Sequence, residues 1–584
     1  MAAKWTIKNK KIDMQSLSAA LGVSPVVVRT MVNRDITDVN LAKKFLHPSE
    51  ADFFDTAMFK DIERAIELVS AAISNQKKIA IYGDYDVDGV MSTTILYKGL
   101  KPFVSALTYY IPHREKEGYG LNKAAIKTLA ESGVNLLLAC DNGITAVEEV
   151  AYAHELGMQV VILDHHEPIV KGTQEVLPDA DAIVNQKQTH CAYPFKHLCA
   201  AGISYKFINH LYLKLDKPLA PTLKEELLVF AGIATLCDVV DLLEENRLIV
   251  HLAINILREQ IDNIGLKNIA KLKNLTQLDE ENIGFVIGPC INAAGRLENA
   301  MMAVDLFTAE DEATAKKIAT DLVELNERRK AITKEAMDII LAEMDNAQVD
   351  NVIVAYNPAI HEAVAGIVAG RLKEKFHRPT VVLTKGESYV KGSARSIESY
   401  DIYEGLAAFR HLYHKFGGHQ MAAGLSLEEE NVPILRKGLN DAFNASLEEI
   451  INIDMQVSLT ELTYLLAKEL DVLKPFGKAN PAPLFGTKSV KVLSVKLLPD
   501  KNTIIFTFET EREKGIKGIY FGGTDKFTQM ILSHYDDYVA EKIFAGIIRN
   551  IEIKMDILYY LDINVYNGLT SVQVRLRDFR ITPK

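Results

Sequence analysis

Three short apolar segments each stop at an aspartate, and this coincidence constrains the chain more than any other feature. KIAIYG runs into Asp84, NLLLAC into Asp141 and MQVVIL into Asp164. A fourth apolar run, DAIVN, follows, and helical patterns (GVMSTTILYKGL, KAAIKTLAESG, AVEEVAYAHELG) lie between them. Short apolar strands alternating with helices predict a parallel α/β sheet. In such sheets ligands bind beyond the carboxyl ends of the strands. All three aspartates fall there.

The first aspartate opens a cluster. GDYDVDG sets Asp84, Asp86 and Asp88 at alternate positions after a buried strand. Carboxylates crowded in this way are costly unless paired or bound to metal. Their hard oxygens suit magnesium or manganese. A calcium loop is excluded, because the twelfth position from Asp84 is Ile95 rather than a closing Glu. CDNG, carrying Asp141, is by itself an ordinary turn sequence. Asp164-His165-His166 is less ordinary as the end of a buried strand. One such histidine can ligate a metal as neutral imidazole while its neighbour meets a phosphate. Asp238, after the apolar ELLVFAGIATLC, is placed to complete the set.

The length of 584 residues predicts several domains. Residues 1–75 read as a helical lead-in and 76–309 as the aspartate-bearing α/β domain. Residues 310–346 form a charged connector helix, and 347–449 a second α/β unit beginning at NVIVAY. From 450 to 584, the segments KSVKVLSVKLL, NTIIFTFET, KGIKGIYFGG, FAGIIRNIEI, MDILYYLDINV and SVQVRLRDFRI read as strands of a small β-barrel. Phe476, Phe485, Phe506, Phe508 and Tyr520 lie in that region, and aromatics on a small barrel are more often core than platform.

Five scattered cysteines without a CxxC pair argue against a zinc ribbon or a disulfide framework. The N-terminus carries no apolar core of signal-peptide length, so a cytoplasmic chain without membrane spans is expected. The net charge of -11 excludes a uniformly basic nucleic-acid binder. The balance is uneven, however: residues 451–584 carry 18 Lys and Arg against 16 Asp and Glu. A local basic groove is therefore compatible with the total.

GDYDVDG, CDNG, LDHH and CDVVDL, in this order, resemble the four motifs of the DHH phosphoesterase superfamily. IPHREKEGYGLN, NAAGRL, HEAVAGIVAGRL, KGSARS, KFGGHQMAAG and KPFGKANPAPLF extend the resemblance to the RecJ exonucleases over roughly residues 70 to 584. The resemblance implies a DHH parallel-sheet domain, a connector helix, a DHH-associated α/β domain and a C-terminal OB-fold. It implies a 5′→3′ exonuclease on single-stranded DNA, releasing 5′-mononucleotides with two Mn2+ or Mg2+ ions in recombination and repair. A relative acting on oligoribonucleotides, cyclic dinucleotides or bisphosphorylated nucleotides is the alternative, and such enzymes usually lack the OB region. Asp86, Asp88, Asp141, His165 and Asp238 would be metal ligands. Asp84 and Asp164 would be ligands or the partners that orient them, and His166 would meet the scissile phosphate or its leaving oxygen.

On the substrate side, Arg114, Ser393 and Arg395 would form a pocket for the 5′-phosphate, with Tyr119 as a stacking candidate. Arg296 and His419 are further contact candidates, although Gly417 and Gly418 before His419 can equally make a plain turn. A single-strand-binding protein and a RecQ-type helicase are the protein partners expected by the same resemblance. Two positions depart from the family pattern: Asp241, where proline is common, and Lys478-Ala479, where a small or acidic residue and a glycine are usual.

Overall fold

The computed structural model describes residues 3–344, 349–510, 515–566 and 569–582. The chain divides into two compact units, one holding residues 53–240 and 248–449, the other residues 1–52, 241–247 and 450–584.

In the larger unit, five parallel strands lie in the order Leu107–Tyr110, Ile79–Tyr82, Leu136–Cys140, Gln159–Leu163, Ala182–Val184. The edge strand Leu107–Tyr110 is only half-buried, and its short LTYY run gives a weak sequence signal. The central strands Ile79–Tyr82 and Leu136–Cys140 are buried throughout, so both faces are apolar. On one face Ala80, Tyr82, Leu137, Ala139 and Ile162 pack against Ile126, Leu129, Val150 and Ala153 from two helices. Numbered along the chain, the strand order is 2-1-3-4-5. Its direction of winding reverses between the first and third strands, where such folds open a crevice. Asp84 and Asp141 follow those two strands.

A 32-residue helix, Glu312–Glu343, covers most of the expected connector; positions 345 and 346 lie outside the described residues. At 1.5 Å per residue it is about 48 Å long. A second sheet follows, ordered Tyr413–His419, Ala422–Leu427, Val390–Arg395, Thr380–Lys385, Ile353–Tyr356, with only the last pair parallel. Helix Ala365–Phe376 packs on one face through Val368, Ala369 and Leu372. Ile402, Leu406, Leu435 and Leu439 cover the other.

The smaller unit contains a closed barrel. Phe485–Leu498 pairs with Thr503–Phe508, then come Ile516–Phe521, Leu569–Ile581 and Lys554–Tyr566, which pairs back to Phe485–Leu498. Closure leaves no free edge around this ring. Phe485, Phe506 and Phe508 are fully buried, so they fill the core rather than offer a stacking surface. FAGIIRNIEI, expected as a strand, is not one: helix Asp537–Phe544 ends there and the next strand begins at Lys554. Ala540 and Ile543 on that helix are buried, so its apolar residues serve helical packing.

The N-terminal helices Met14–Leu21, Pro25–Val32 and Val39–Leu46 share the barrel's core through Leu17, Val28, Met31 and Phe45. Strand Lys4–Ile7 runs parallel to Ile450–Ile453. The inserted segment 241–247 is anchored by Arg247, which is 1% exposed. Its guanidinium donates to the carbonyls of Phe45, Val472, Leu473 and Pro475 and lies 3.8 Å over the Phe45 ring. The two departures from the family pattern meet here. Lys478 Nζ lies 3.2 Å from Asp241 Oδ1, and the Leu242 amide donates to the Lys478 carbonyl.

Candidate metal centre and phosphate pocket

Asp86 caps helix Val87–Leu100, its Oδ1 accepting from the amides of Asp88 and Gly89. The turn is tight: a Cβ on Gly89 would lie 2.4 Å from the Asp84 carbonyl oxygen, so only glycine fits. Asp88 is buried and accepts from the amides of Ala200 and Ala201 at the start of helix Ala200–Lys214. Asp141 sits at φ 61°, a left-handed conformation that aspartate tolerates better than most residues. Asp238 ends helix Pro221–Cys237, and Val239 at φ 55° turns the chain away.

These carboxylates converge on one nitrogen. His165 Nε2 lies 3.2 Å from Asp141 Oδ1, 3.6 Å from Asp88 Oδ2 and 3.8 Å from Asp238 Oδ2. Burial and the neighbouring His166 push the His165 pKa down to about 3, so the imidazole is neutral at physiological pH. The carboxylates move the other way. Burial, then Asp86, lifts Asp88 to about 6; burial, then Asp88 and Asp86, lifts Asp238 to about 8. Burial raises Asp84 and Asp141 well above the usual range. Asp84 Oδ1 and Asp141 Oδ1 are buried with no hydrogen-bond donor.

Three sets of ligand atoms lie within 4.8 Å of one another: Asp141, His165 and His166; Asp88, His165 and Asp238; Asp84, Asp86 and Asp141. Asp141 and His165 each belong to two sets, so either could bridge adjacent cations. Orphaned oxygens, hard donors and shared ligands all fit divalent metal.

Asp164 is fully buried and stands apart from these sets. Its Oδ2 accepts from the Ile144 amide; its Oδ1 accepts from the His165 and His166 amides and lies 2.7 Å from His166 Nδ1. Burial works against its charge, but His166 holds its pKa below the usual value. Burial likewise opposes a charged His166, yet Asp164, Asp238 and Asp86 lift it to about 9. Without metal, these carboxylates favour its protonated form. The half-exposed Tyr119 donates its hydroxyl to the Asp141 carbonyl and lies 3.3 Å from the His166 ring nitrogens.

Beside this cluster lies a group of cations. Arg114 stacks over Tyr85 at 5.1 Å. Arg296 donates to the Ala363 carbonyl, and Arg395 donates to Ser393 Oγ. Burial, then Arg114, Arg329 and Arg395, pushes Arg296 down to about 9; burial, then Arg114, lowers Arg395. Arg114, Arg296 and Arg395 thus lie close enough to feel one another's charge, a grouping suited to an anion. Gly366 gives it room, since a Cβ there would lie 2.9 Å from an Arg395 nitrogen. A cavity of about 900 Å³ opens here, lined by Arg114, Tyr119, Gly366 and Ser393 and continuing to Tyr389 and Lys415.

His419 is exposed at the end of its strand and does not line that cavity. Arg329 joins this group of cations, and NERRK on a charged helix carries no signal of that in the sequence.

A crevice at the winding reversal, filled with carboxylates and one neutral histidine and flanked by guanidiniums, defines a metal-dependent phosphoesterase of the DHH type. Sequence models of the DHH family N-terminal domain, the DHHA1 domain and the RecJ OB domain match residues 78–233, 350–445 and 453–578. The single-stranded-DNA-specific exonuclease RecJ of Bacillus subtilis is 38% identical over 491 residues, 82% of this chain but 61% of that protein. Its Haemophilus influenzae counterpart is 32% identical over 88% of this chain and 89% of its own length. The crystal structure of RecJ with Mn2+ from Thermus thermophilus superposes with a TM-score of 0.81 at 24% identity, covering 100% of this chain and 80% of that one. The chain belongs to the RecJ family.

Proposed function

We propose that this protein is a single-stranded-DNA-specific 5′→3′ exonuclease that releases 5′-mononucleotides by two-metal hydrolysis. The observation that carries this is His165 Nε2, neutral and ringed by three carboxylates at 3.2–3.8 Å. Asp86, Asp88, Asp141, His165 and Asp238 would hold the ions, with Asp84 beside them; Mn2+ or Mg2+ would polarise the scissile phosphate and the attacking water. Asp164 would act through His165 and His166 by fixing their backbone. His166, favoured in its protonated form by Asp164, would donate a proton toward the leaving 3′-oxygen. Arg114, Ser393, Arg395 and Arg296 would receive the 5′-phosphate, with Tyr119 against the first base and His419 further along the same strand pair. The family's naming for single-stranded DNA and the OB match at 453–578 support a long strand over dinucleotide substrates.

Repair and recombination are the matching role. Five unpaired cysteines support a reducing, cytoplasmic setting. Among the described residues no helix is long and apolar enough to cross a membrane. A single-strand-binding protein and a RecQ-type helicase are the partners to test by co-purification.

The deciding experiment uses a long, end-labelled, 5′-phosphorylated single strand with manganese. Mononucleotides should leave stepwise from the 5′ end. EDTA and blunt duplex should abolish this, and His165→Ala should lower the rate by more than the roughly 10–100-fold typical of outer-sphere partners. Rapid cleavage of dinucleotides with inertness toward long strands would defeat the proposal.

A further inference from the structure

We infer that the cavity continues past the terminal-phosphate pocket into a second subsite, formed by Tyr389, His414, Lys391 and Lys415, which accepts a nucleotide joined to the 5′ end through a pyrophosphate. Because it rests on the proposed exonuclease activity, its test is set beside a plain 5′-phosphorylated strand.

The register of the sheet supplies the geometry. Across Val390–Arg395, Ala422–Leu427 and Tyr413–His419, Arg395 stands beside Ala422 and His419. Ser393 stands beside Gly424 and Gly417, and Lys391 beside Ser426 and Lys415. Alternate residues of a strand share a face, so these three rows rise on one face about 7 Å apart. Arg395 is the row that feels Arg114 and Arg296, the arginines gathered at Tyr85 beside Asp84. The order Arg395, Ser393, Lys391, Tyr389 therefore leads away from the carboxylates. The serine row itself is bare beside Ser393: a Cβ on Gly417 would meet nothing within 4 Å, and one on Gly424 only the Gly392 carbonyl at 4.0 Å.

At the far end stands an aromatic platform. The Tyr389 and His414 rings stack with centroids 3.7 Å apart and planes at 27°. Tyr389 is 40% exposed, and His414 is fixed by Glu428 at 2.9 Å. Lys391 is fixed by both oxygens of Glu362 at 2.8 and 2.9 Å, and Lys415 faces it across Ser426. An exposed aromatic face beside cations is how proteins hold a base and its phosphate without reading sequence. A volume of about 900 Å³ is far more than a terminal phosphate fills. The strand itself runs from the phosphate pocket toward the carboxylates. Only a group hung on the terminal phosphate reaches the other way, and one extra phosphate spans the gap between rows.

The chemistry is unchanged by such an end. Water adds to the phosphorus of the first internucleotide linkage, and the 3′-oxygen of the first nucleotide leaves with a proton. That nucleotide departs with its pyrophosphate-linked adenylate intact.

The test compares two oligonucleotides of one sequence, 5′-phosphorylated and 5′-adenylylated, with the full chain and manganese. Products are read by mass, and KM and kcat are measured. Wild type should digest both, releasing the adenylate-bearing dinucleotide first from the second. Tyr389→Ala should raise KM for the adenylylated strand roughly fivefold or more, leave the plain strand within about twofold and leave kcat unchanged; Tyr389→Phe should behave as wild type. Lys415→Ala should act in the same direction as Tyr389→Ala. Stalling at the adenylylated end overturns the inference. So does an equal effect of Tyr389→Ala on both strands, which would place the platform along the strand, and so does no effect on either. Failure to digest the plain strand would instead defeat the exonuclease proposal, and the subsite with it.

Discussion

Asp164 accepts from three amides and pairs with His166 Nδ1, so Asp164→Asn is an informative single change. An amide presents a donor where every neighbour is already a donor, which costs about 1–3 kcal/mol. It also removes the anion that holds the His166 pKa near 9. We expect the alkaline limb of the kcat/KM profile to move down toward the ordinary histidine range, about 6.5. A profile measured across that range with an unmoved limb would remove His166 from proton donation. The aspartates and histidines of the centre were legible in sequence because strand ends must point at the crevice and like charges need a reason to gather. Tyr389, His414 and Lys415 were not legible. They come together only through a strand register that no local pattern encodes.

Arg247 shows the same limit at the level of elements. Nothing in ENRLIV marks it for burial, yet it is buried among four carbonyls and the Phe45 ring. Arg247→Ala strands those carbonyls and leaves a cavity, so destabilisation of about 3–5 kcal/mol is expected. Arg247→Lys should recover little, because one ammonium cannot replace a planar fork. The Asp241–Lys478 pair is different. Its lysine is 58% exposed, and Lys478→Ala should cost less than about 1 kcal/mol. Urea unfolding followed by proteolysis of the N-terminal helices would separate the two cases, and equal losses would contradict the burial argument. The barrel strands were legible from alternation. FAGIIRNIEI was misread because a short apolar run fits a helix end as well as a strand, and the partnership of Lys4–Ile7 with Ile450–Ile453 spans almost the whole chain.

For the whole molecule, the metal centre makes stability a function of pH and ions together. Without metal, Asp238 has its pKa raised to about 8 and Asp88 to about 6, against about 3.8 when unfolded. A group raised in the fold contributes stability that is present below its unfolded pKa and lost as pH rises through its folded one. His166, raised to about 9, has the same sign over a higher window. His165, lowered to about 3, has the opposite sign, but its effect is complete once pH exceeds the ordinary histidine pKa of about 6.5. Between about pH 6.5 and 9 only the destabilising slope remains, so the melting temperature in EDTA should fall steadily across that range. Mn2+ should reverse the slope, because cations bind the deprotonated carboxylates and stabilise by mass action, about 2.7 kcal/mol at a hundred times Kd. Asp238→Asn should flatten the EDTA slope while weakening the rescue by Mn2+. Thermal scans at several pH values, with and without the ion, would show this. An EDTA profile that is flat in the wild-type protein would mean that the carboxylates are not forced together without metal, contrary to the crowding read from GDYDVDG.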